Sequence, residues 1–228
     1  GLICNMKKLG ILIFARIDSK RLPGKVLKEI TLEKNLLEIV YLRLKKFTNL
    51  KIVVCTSLSK KDDQIIRICK QRKISFFRGN LKNVFDRTIN CLKKFKFDAF
   101  VRINADRPFV DFDEVNKMVK IFRKKKFDII INQLSKKCPK GLACEIAKSE
   151  VFLKNTKKLS YSDKEHIFNF FYRNKKKYRI YNLDNKLYYK KIKKNLSIDT
   201  SKDLSKIKKI YKGLGSIYVP TKTILKII

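Results

Sequence analysis

Residues 9–25 read Leu-Gly-Ile-Leu-Ile-Phe-Ala-Arg-Ile-Asp-Ser-Lys-Arg-Leu-Pro-Gly-Lys, and this stretch decides the fold. Leu9 to Phe14 is an apolar run of the length of a buried parallel strand. A polar loop follows, carrying Arg16, Lys20, Arg21 and Lys25, with Pro23-Gly24 as its turn signal. A strand that feeds a cationic loop is suited to holding phosphates. Ligands of open α/β sheets sit at the carboxyl ends of strands, loop N–H groups can point at phosphate oxygens, and Arg and Lys supply counter-charge. The Gly-x4-Gly-Lys-Ser/Thr spacing of a Walker A loop is absent, and so is Gly-x-Gly-x-x-Gly. Taken alone, the loop reads equally as a basic surface loop after a core strand.

Outward from this stretch, strand-like and helix-like patterns alternate, which predicts a mostly parallel sheet flanked by helices. Leu36, Leu37, Val40, Leu44 and Phe47 recur at helical spacing. Residues 51–55 read as a buried strand ending in Thr56-Ser57, and Asp62-Asp63 as the start of a helix, whose positive end suits acidic residues. Residues 74–77 form a third strand, 84–95 a helix, and 98–103 a fourth strand running into Asn104-Ala105-Asp106-Arg107-Pro108. A helix over 113–125 leads to a strand over 127–131. Beyond it, 136–142 reads as a loop, 143–147 as a strand, 149–158 and 163–174 as helical, and 178–183 as a half-exposed strand. Thr200 or Ser201 caps a helix over 202–211. The expected layout is one Rossmann-like α/β domain over 1–228, with 136–195 as a substrate and dimer subregion.

Composition sets the outer bounds. A chain of 228 residues is long enough for one α/β domain with a full core. No apolar run approaches the roughly 20 residues of a membrane span. The N-terminus lacks the pattern of a signal peptide, and Met6, just before Lys7-Lys8, reads as a natural start. The six cysteines, Cys4, Cys55, Cys69, Cys91, Cys138 and Cys144, are scattered, with no Cys-x-x-Cys pair and a single His in the chain. That argues against a zinc site and for reduced thiols in the cytoplasm. The net charge of +37 is the one feature that suggests nucleic acid. The lysines are spread along the whole chain, however, with no basic tail or Arg-rich arm, so a polyanion- or RNA-binding protein is the alternative and not the first reading.

Six further blocks give the first motif its meaning. Ala15-Arg16-x-x-Ser19-x-Arg21-Leu22-Pro23-Gly24-Lys25 is followed by Cys55-Thr56-Ser57 with Asp62-Asp63. Next come Phe77-Arg78-Gly79-Asn80 with Val84-Phe85-Asp86-Arg87, and then the run from Val101 to Asp111. Pro139-Lys140-Gly141-Leu142 with Glu145, Lys164-Glu165-His166, and Ile198-Asp199-Thr200 with Asp203-Leu204 complete the set. In this order they resemble the sugar cytidylyltransferases, the group of acylneuraminate and Kdo cytidylyltransferases, and above all the spore-coat polysaccharide biosynthesis protein F type.

The resemblance implies a Rossmann-like nucleotidyltransferase that moves CMP from CTP to a sugar, expected to be an acidic 2-keto sugar, for a surface polysaccharide. It implies a homodimer as well. Asp106 and Asp199 would hold Mg²⁺, which is commonly bound by one or two carboxylates plus phosphates and water. Arg16, Lys25 and Asp106 would carry catalysis. Ala15, Ser19, Arg21, Thr56, Ser57, Arg78, Asp86, Arg87 and Asn104 would join Arg16 and Lys25 around the nucleotide. Lys140, Glu145, Glu165 and His166 would face the sugar. The residue-level alternatives are plain: Asp199 as a helix cap, Asp106 as a turn residue, Asp86-Arg87 as a surface ion pair and His166 as a packed or capping residue. Departures from the pattern point to a different sugar or to a catalytically degenerate relative. Phe14 stands for a Gln, Asp18 and Lys20 for Gly and Thr, Arg107 for a frequent Cys, Ala143 for an Asp and Phe168 for a Thr. Asp18 needs a cation beside it, with Arg16 or Arg21 at hand.

Overall fold

The computed structural model describes residues 8–133, 138–185 and 195–228; Cys4 and Met6 lie outside them. Strand β1 (Leu9–Phe14) lies inside a seven-stranded sheet, third from one edge. On one side it pairs in parallel with β4 (Lys51–Ser57), which pairs in parallel with β5 (Phe76–Gly79). On the other it pairs in parallel with β6 (Ala99–Asn104). The chain therefore winds outward in one direction through β4 and β5, then returns to lay β6 on the opposite flank of β1. This reversal makes a topological switch point at the carboxyl ends of β1 and β6, where such sheets open a crevice.

The far side of the sheet is mixed. Strand β8 (Glu145–Lys148) runs antiparallel to β6 and to β7 (Ile129–Ile131), and β9 (Ile180–Asn182) pairs in parallel with β7. A short hairpin stands apart from the sheet, β2 (Glu29–Thr31) with β3 (Lys34–Asn35). Its turn residues Leu32 and Glu33 both have positive φ. Two-residue hairpins need such φ values, but Asn and Gly normally mark them, so the sequence carries no signal for this turn.

Alternation along β1 sends Ile11 and Ile13 to one face and Leu12 to the other, as a strand buried on both sides requires. On the first face pack α1 (Leu36–Phe47), α2 (Asp63–Gln71), α4 (Phe112–Lys124), α8 (Ser201–Leu214) and α9 (Thr221–Ile227). On the second face α3 (Val84–Phe95), α5 (Ser149–Leu153) and α7 (Asn169–Arg173) surround an aromatic cluster of Phe85, Phe100, Phe152, Phe168 and Phe171. Helix α6 (Tyr161–Glu165) precedes α7. The helices start where side chains satisfy free N–H groups: Asn35 with Glu38, Ser160 with Asp163 and Thr200 with Asp203 form capping boxes. Thr200, not Asp199, is thus the cap of α8, which frees the Asp199 carboxylate. Among the described residues no helix is long and apolar enough to cross a membrane.

Candidate active site

A cleft of about 500 Å³ opens at the switch point. The loop after β1 forms one wall. Gly24, at φ +70, takes the left-handed conformation a tight turn needs, and its N–H donates to the Ile17 carbonyl at 2.9 Å. Asp62, buried in the turn between β4 and α2, accepts from the Ile17 N–H at 2.8 Å and from the Ser57 hydroxyl. The phosphate-type loop is thereby pinned to β4. Its backbone is positioned by a residue whose sequence context signals only a helix start, because the Asp62–Ile17 contact spans 45 positions.

Three cations and two carboxylates meet on the cleft floor. Lys25 Nζ donates to Asp106 Oδ2 at 2.9 Å, to the Ile198 carbonyl at 2.7 Å, and to Asp199 Oδ1 at 3.4 Å. Arg21 lies 3.3 Å from Asp199, and the Lys140 ammonium bonds the other Asp199 oxygen. Ser197 Oγ, at 3.1 Å, adds a further hydrogen bond to that oxygen. Burial alone would raise the Asp199 pKa, but the Lys140 hydrogen bond and the Lys25 and Lys140 charges outweigh it and hold the carboxyl well below its usual range. Asp106 and Asp199 converge on one cation, the Lys25 ammonium. The pair would fit a divalent ion that takes its other ligands from phosphates and water. Among the described residues no group of three or more His, Cys, Asp or Glu could hold a metal ion without such help.

Arg16, Ser19, Arg87, Asn104, Glu165 and His166 also line the cleft, with Ala15 at its base. Arg16 lies 3.6 Å from Glu165, both side chains about half exposed. Asp18 takes its cation from Lys61 at 3.0 Å, not from Arg16 or Arg21. Arg87 is buried, its Nε donating to the Asn80 carbonyl at 2.9 Å and Nη2 to the Leu81 carbonyl at 3.0 Å.

Other expected residues do not reach the cleft. Thr56 and Ser57 are wholly buried at the end of β4. Arg78 spends its guanidinium on the Ser57 and Ser59 carbonyls, at 2.8 and 2.9 Å, and on Asp63 at 2.7 Å. Asp86 is exposed and accepts from Asn90 at 3.1 Å, while its neighbour Arg87 points inward. No ion pair joins them, because adjacent helical residues do not face each other. Glu145, expected at the sugar, is wholly buried. It accepts from Arg102 Nε at 2.8 Å, Gln133 Nε2 at 2.6 Å and the Tyr172 hydroxyl at 3.1 Å.

Arg102, which lines the cleft, had drawn no role from the sequence. Its signal is a guanidinium inside a strand whose neighbours Val101 and Ile103 are buried, and the antiparallel register places Glu145 directly across from it.

A family model described as cytidylyltransferase matches residues 10–224. An uncharacterised protein of Methanocaldococcus jannaschii is 32% identical over 222 residues, covering 96% of this chain and 89% of that protein. Spore coat polysaccharide biosynthesis protein SpsF of Bacillus subtilis is 26% identical over 219 residues, covering 92% and 89%. The solved structure of a cytidylyltransferase from Leptospira borgpetersenii superposes with a TM-score of 0.91 at 26% identity, covering 97% of this chain and 93% of that one.

Proposed function

The chain belongs to the cytidylyltransferase family of nucleotidyltransferase enzymes, and from that premise we propose that it transfers CMP from CTP to a hydroxyl of an acidic 2-keto sugar, for surface polysaccharide synthesis. The observation that carries this reading is the convergence of Lys25 with Asp106 and Asp199 beneath a cationic loop at the switch point. In the reaction the sugar oxygen forms a bond to the α-phosphorus while the bond to the pyrophosphate oxygen breaks. Such a transfer asks little covalent chemistry of the protein; it asks for positioning and for charge where charge develops. Lys25 and Arg16 face the phosphates and offset the growing charge on the leaving pyrophosphate. The loop N–H groups, held in place by Asp62, orient the chain of phosphates. In this reading His166, which lines the cleft and is exposed, takes the proton of the sugar hydroxyl. Asp106 and Asp199 would hold Mg²⁺ together with the nucleotide, and the bound ion would neutralise phosphate charge.

Thermal unfolding with CTP, UTP, GTP and ATP, each with and without Mg²⁺, tests this. At 100 times its Kd a ligand stabilises by about 2.7 kcal/mol, a shift of roughly 5–10 °C for a chain of this size. Because Lys25 already occupies both carboxylates, Mg²⁺ alone is expected to shift little and Mg²⁺ with CTP to shift most. Asp199→Asn should abolish the Mg²⁺-dependent increment and lower turnover by about a hundredfold or more. No shift with CTP, or equal shifts with all four nucleotides, would sink the reading.

A further inference from the structure

Behind the cleft wall that Arg102 lines, the described residues bring two guanidiniums, Arg102 and Arg107, to one buried carboxylate, Glu145. Arg102 turns Nε and Nη2 to Glu145, at 2.8 and 2.5 Å, under the ring of Phe168, whose centroid lies 5.1 Å from the guanidinium. Gln133 and Tyr172 crowd onto the same Glu145 oxygen, Oε1, that takes Arg102 Nη2, and Arg102 Nε holds Oε2, so Glu145 carries one negative charge already engaged by Arg102. Five residues on, Arg107 Nη1 is buried with no hydrogen-bond partner among the described residues. The charged side chains it faces include Arg102, Glu145 and Asp106, and Asp106 is already engaged by Lys25 at 2.9 Å. Two guanidiniums therefore share one carboxylate. A buried donor left unpaired is costly, and native proteins rarely keep one without a use.

We propose that Arg102 and Arg107 form the receptor for the carboxylate of the acceptor sugar, Arg102 making the contact and Arg107 supplying the charge that Glu145 leaves uncompensated. The inference rests on the transferase reading and deepens it by naming what selects an acidic acceptor. A planar carboxylate matches the free edge of the Arg102 fork. A neutral sugar in the same place would leave the second cation unbalanced, so the site rejects it through an unpaired charge as well as through lost contacts. Arg107 is a positioning residue: it acts on the acceptor through the field around Arg102.

The test uses 3-deoxy-manno-octulosonate, its methyl ester and neutral 2-deoxyglucose as probes, titrated into the whole protein with and without CTP and followed by thermal shift. The acid should stabilise the protein and the two neutral probes should not. Arg107→Met should keep the full CTP shift and weaken the acid about tenfold or more. Its own unliganded Tm should stay level or rise, because the variant removes an unpartnered buried donor. Arg107→Lys should restore the preference for acid over ester, which a purely structural role would not do. Arg102→Lys, a second variant that keeps a cation against Glu145, should weaken the acid without touching CTP. Equal binding of ester and acid overturns the proposal. So does an Arg107→Met protein that binds the acid like the parent, or a parent that ignores the acid at about 10 mM, ten times the 1 mM Kd of weak binding. A protein that binds the acid but not CTP keeps the receptor and overturns the transferase reading.

Discussion

Asp163 shows how one carboxylate can hold a working surface in place. It has no exposed surface, it closes the capping box at the start of α6 with Ser160, and it accepts from Arg173 of α7 at 2.7 Å. The turn fixed between the two helices carries Glu165 and His166 to the cleft. The Arg173 hydrogen bond, against the opposing effect of burial, brings the Asp163 pKa down to about 2. A carboxyl with a depressed folded pKa adds stability that is present above its unfolded value and lost as pH falls through the folded one. Asp163→Asn should therefore cost about 1 kcal/mol near neutral pH, because the amide oxygen can still accept from Ser160 and Arg173 but without the charge that strengthens both bonds. The gap to the parent should close as pH drops from about 4 towards 2, which urea unfolding at a series of pH values would measure. A gap independent of pH would mean that the Arg173 pair contributes nothing. Residues of this kind were only half legible. The capping pattern is written locally in the chain, but Arg173 with Asp163, Arg102 with Glu145 and Asp62 with Ile17 depend on which segments the fold brings together.

At the scale of elements, the segment 139–142 and the stretch 195–199 act as one unit. The Leu196 N–H donates to the Lys140 carbonyl at 2.8 Å, and Asp199 accepts from the Lys140 side chain. Gly141, at φ +104, lies so close that a Cβ built there would sit 2.5 Å from the Leu196 carbonyl carbon and 2.6 Å from the Ser197 nitrogen. The atoms it would meet are all backbone of the Leu196–Ser197 peptide, which no side-chain rotation can relieve. Gly141→Ala should destabilise the protein by about 2 kcal/mol or more from strain and displacement, and should impair turnover further by moving Asp199. Circular dichroism melts with steady-state kinetics would check both, and an alanine variant with parental stability would show that the two loops are not coupled. The sequence made the α/β alternation plain because buried strands and amphipathic helices have different periods. It could not show that β8 runs antiparallel: four residues, Glu-Ile-Ala-Lys, carry no direction, and pairing is decided by what lies between β7 and β8. Helix α9 escaped notice as well. It spans only two turns, and its place is fixed from a distance by Arg43, which donates to the Ile217 and Val219 carbonyls, at 2.7 and 2.8 Å, and to Thr221.

For the whole molecule the issue is a net charge of +37, which would serve a polyanion binder as well as an enzyme whose substrates are anions. Salt separates the two. Contacts between surface lysines and nucleic-acid phosphates release counterions, so such binding falls about 10³-fold or more between 50 and 200 mM salt when six or more phosphates are engaged. The cleft works differently. Lys25 is only 12% exposed, and charges withdrawn from solvent are screened far less than those on the surface, where the Debye length at physiological salt is about 8 Å. The CTP-induced thermal shift should therefore survive at 150 mM salt with most of its low-salt size, while any RNA-induced shift collapses. Salt should also raise the melting temperature of the unliganded protein by a few degrees, by screening the repulsion that so large a charge builds into the compact state. The two effects are read from one set of melts. If the CTP shift vanishes with salt as steeply as the RNA shift, CTP is being held by diffuse surface charge and the cleft is not its site. If it persists while RNA is lost, the lysine excess is background to a localised nucleotide site at the switch point.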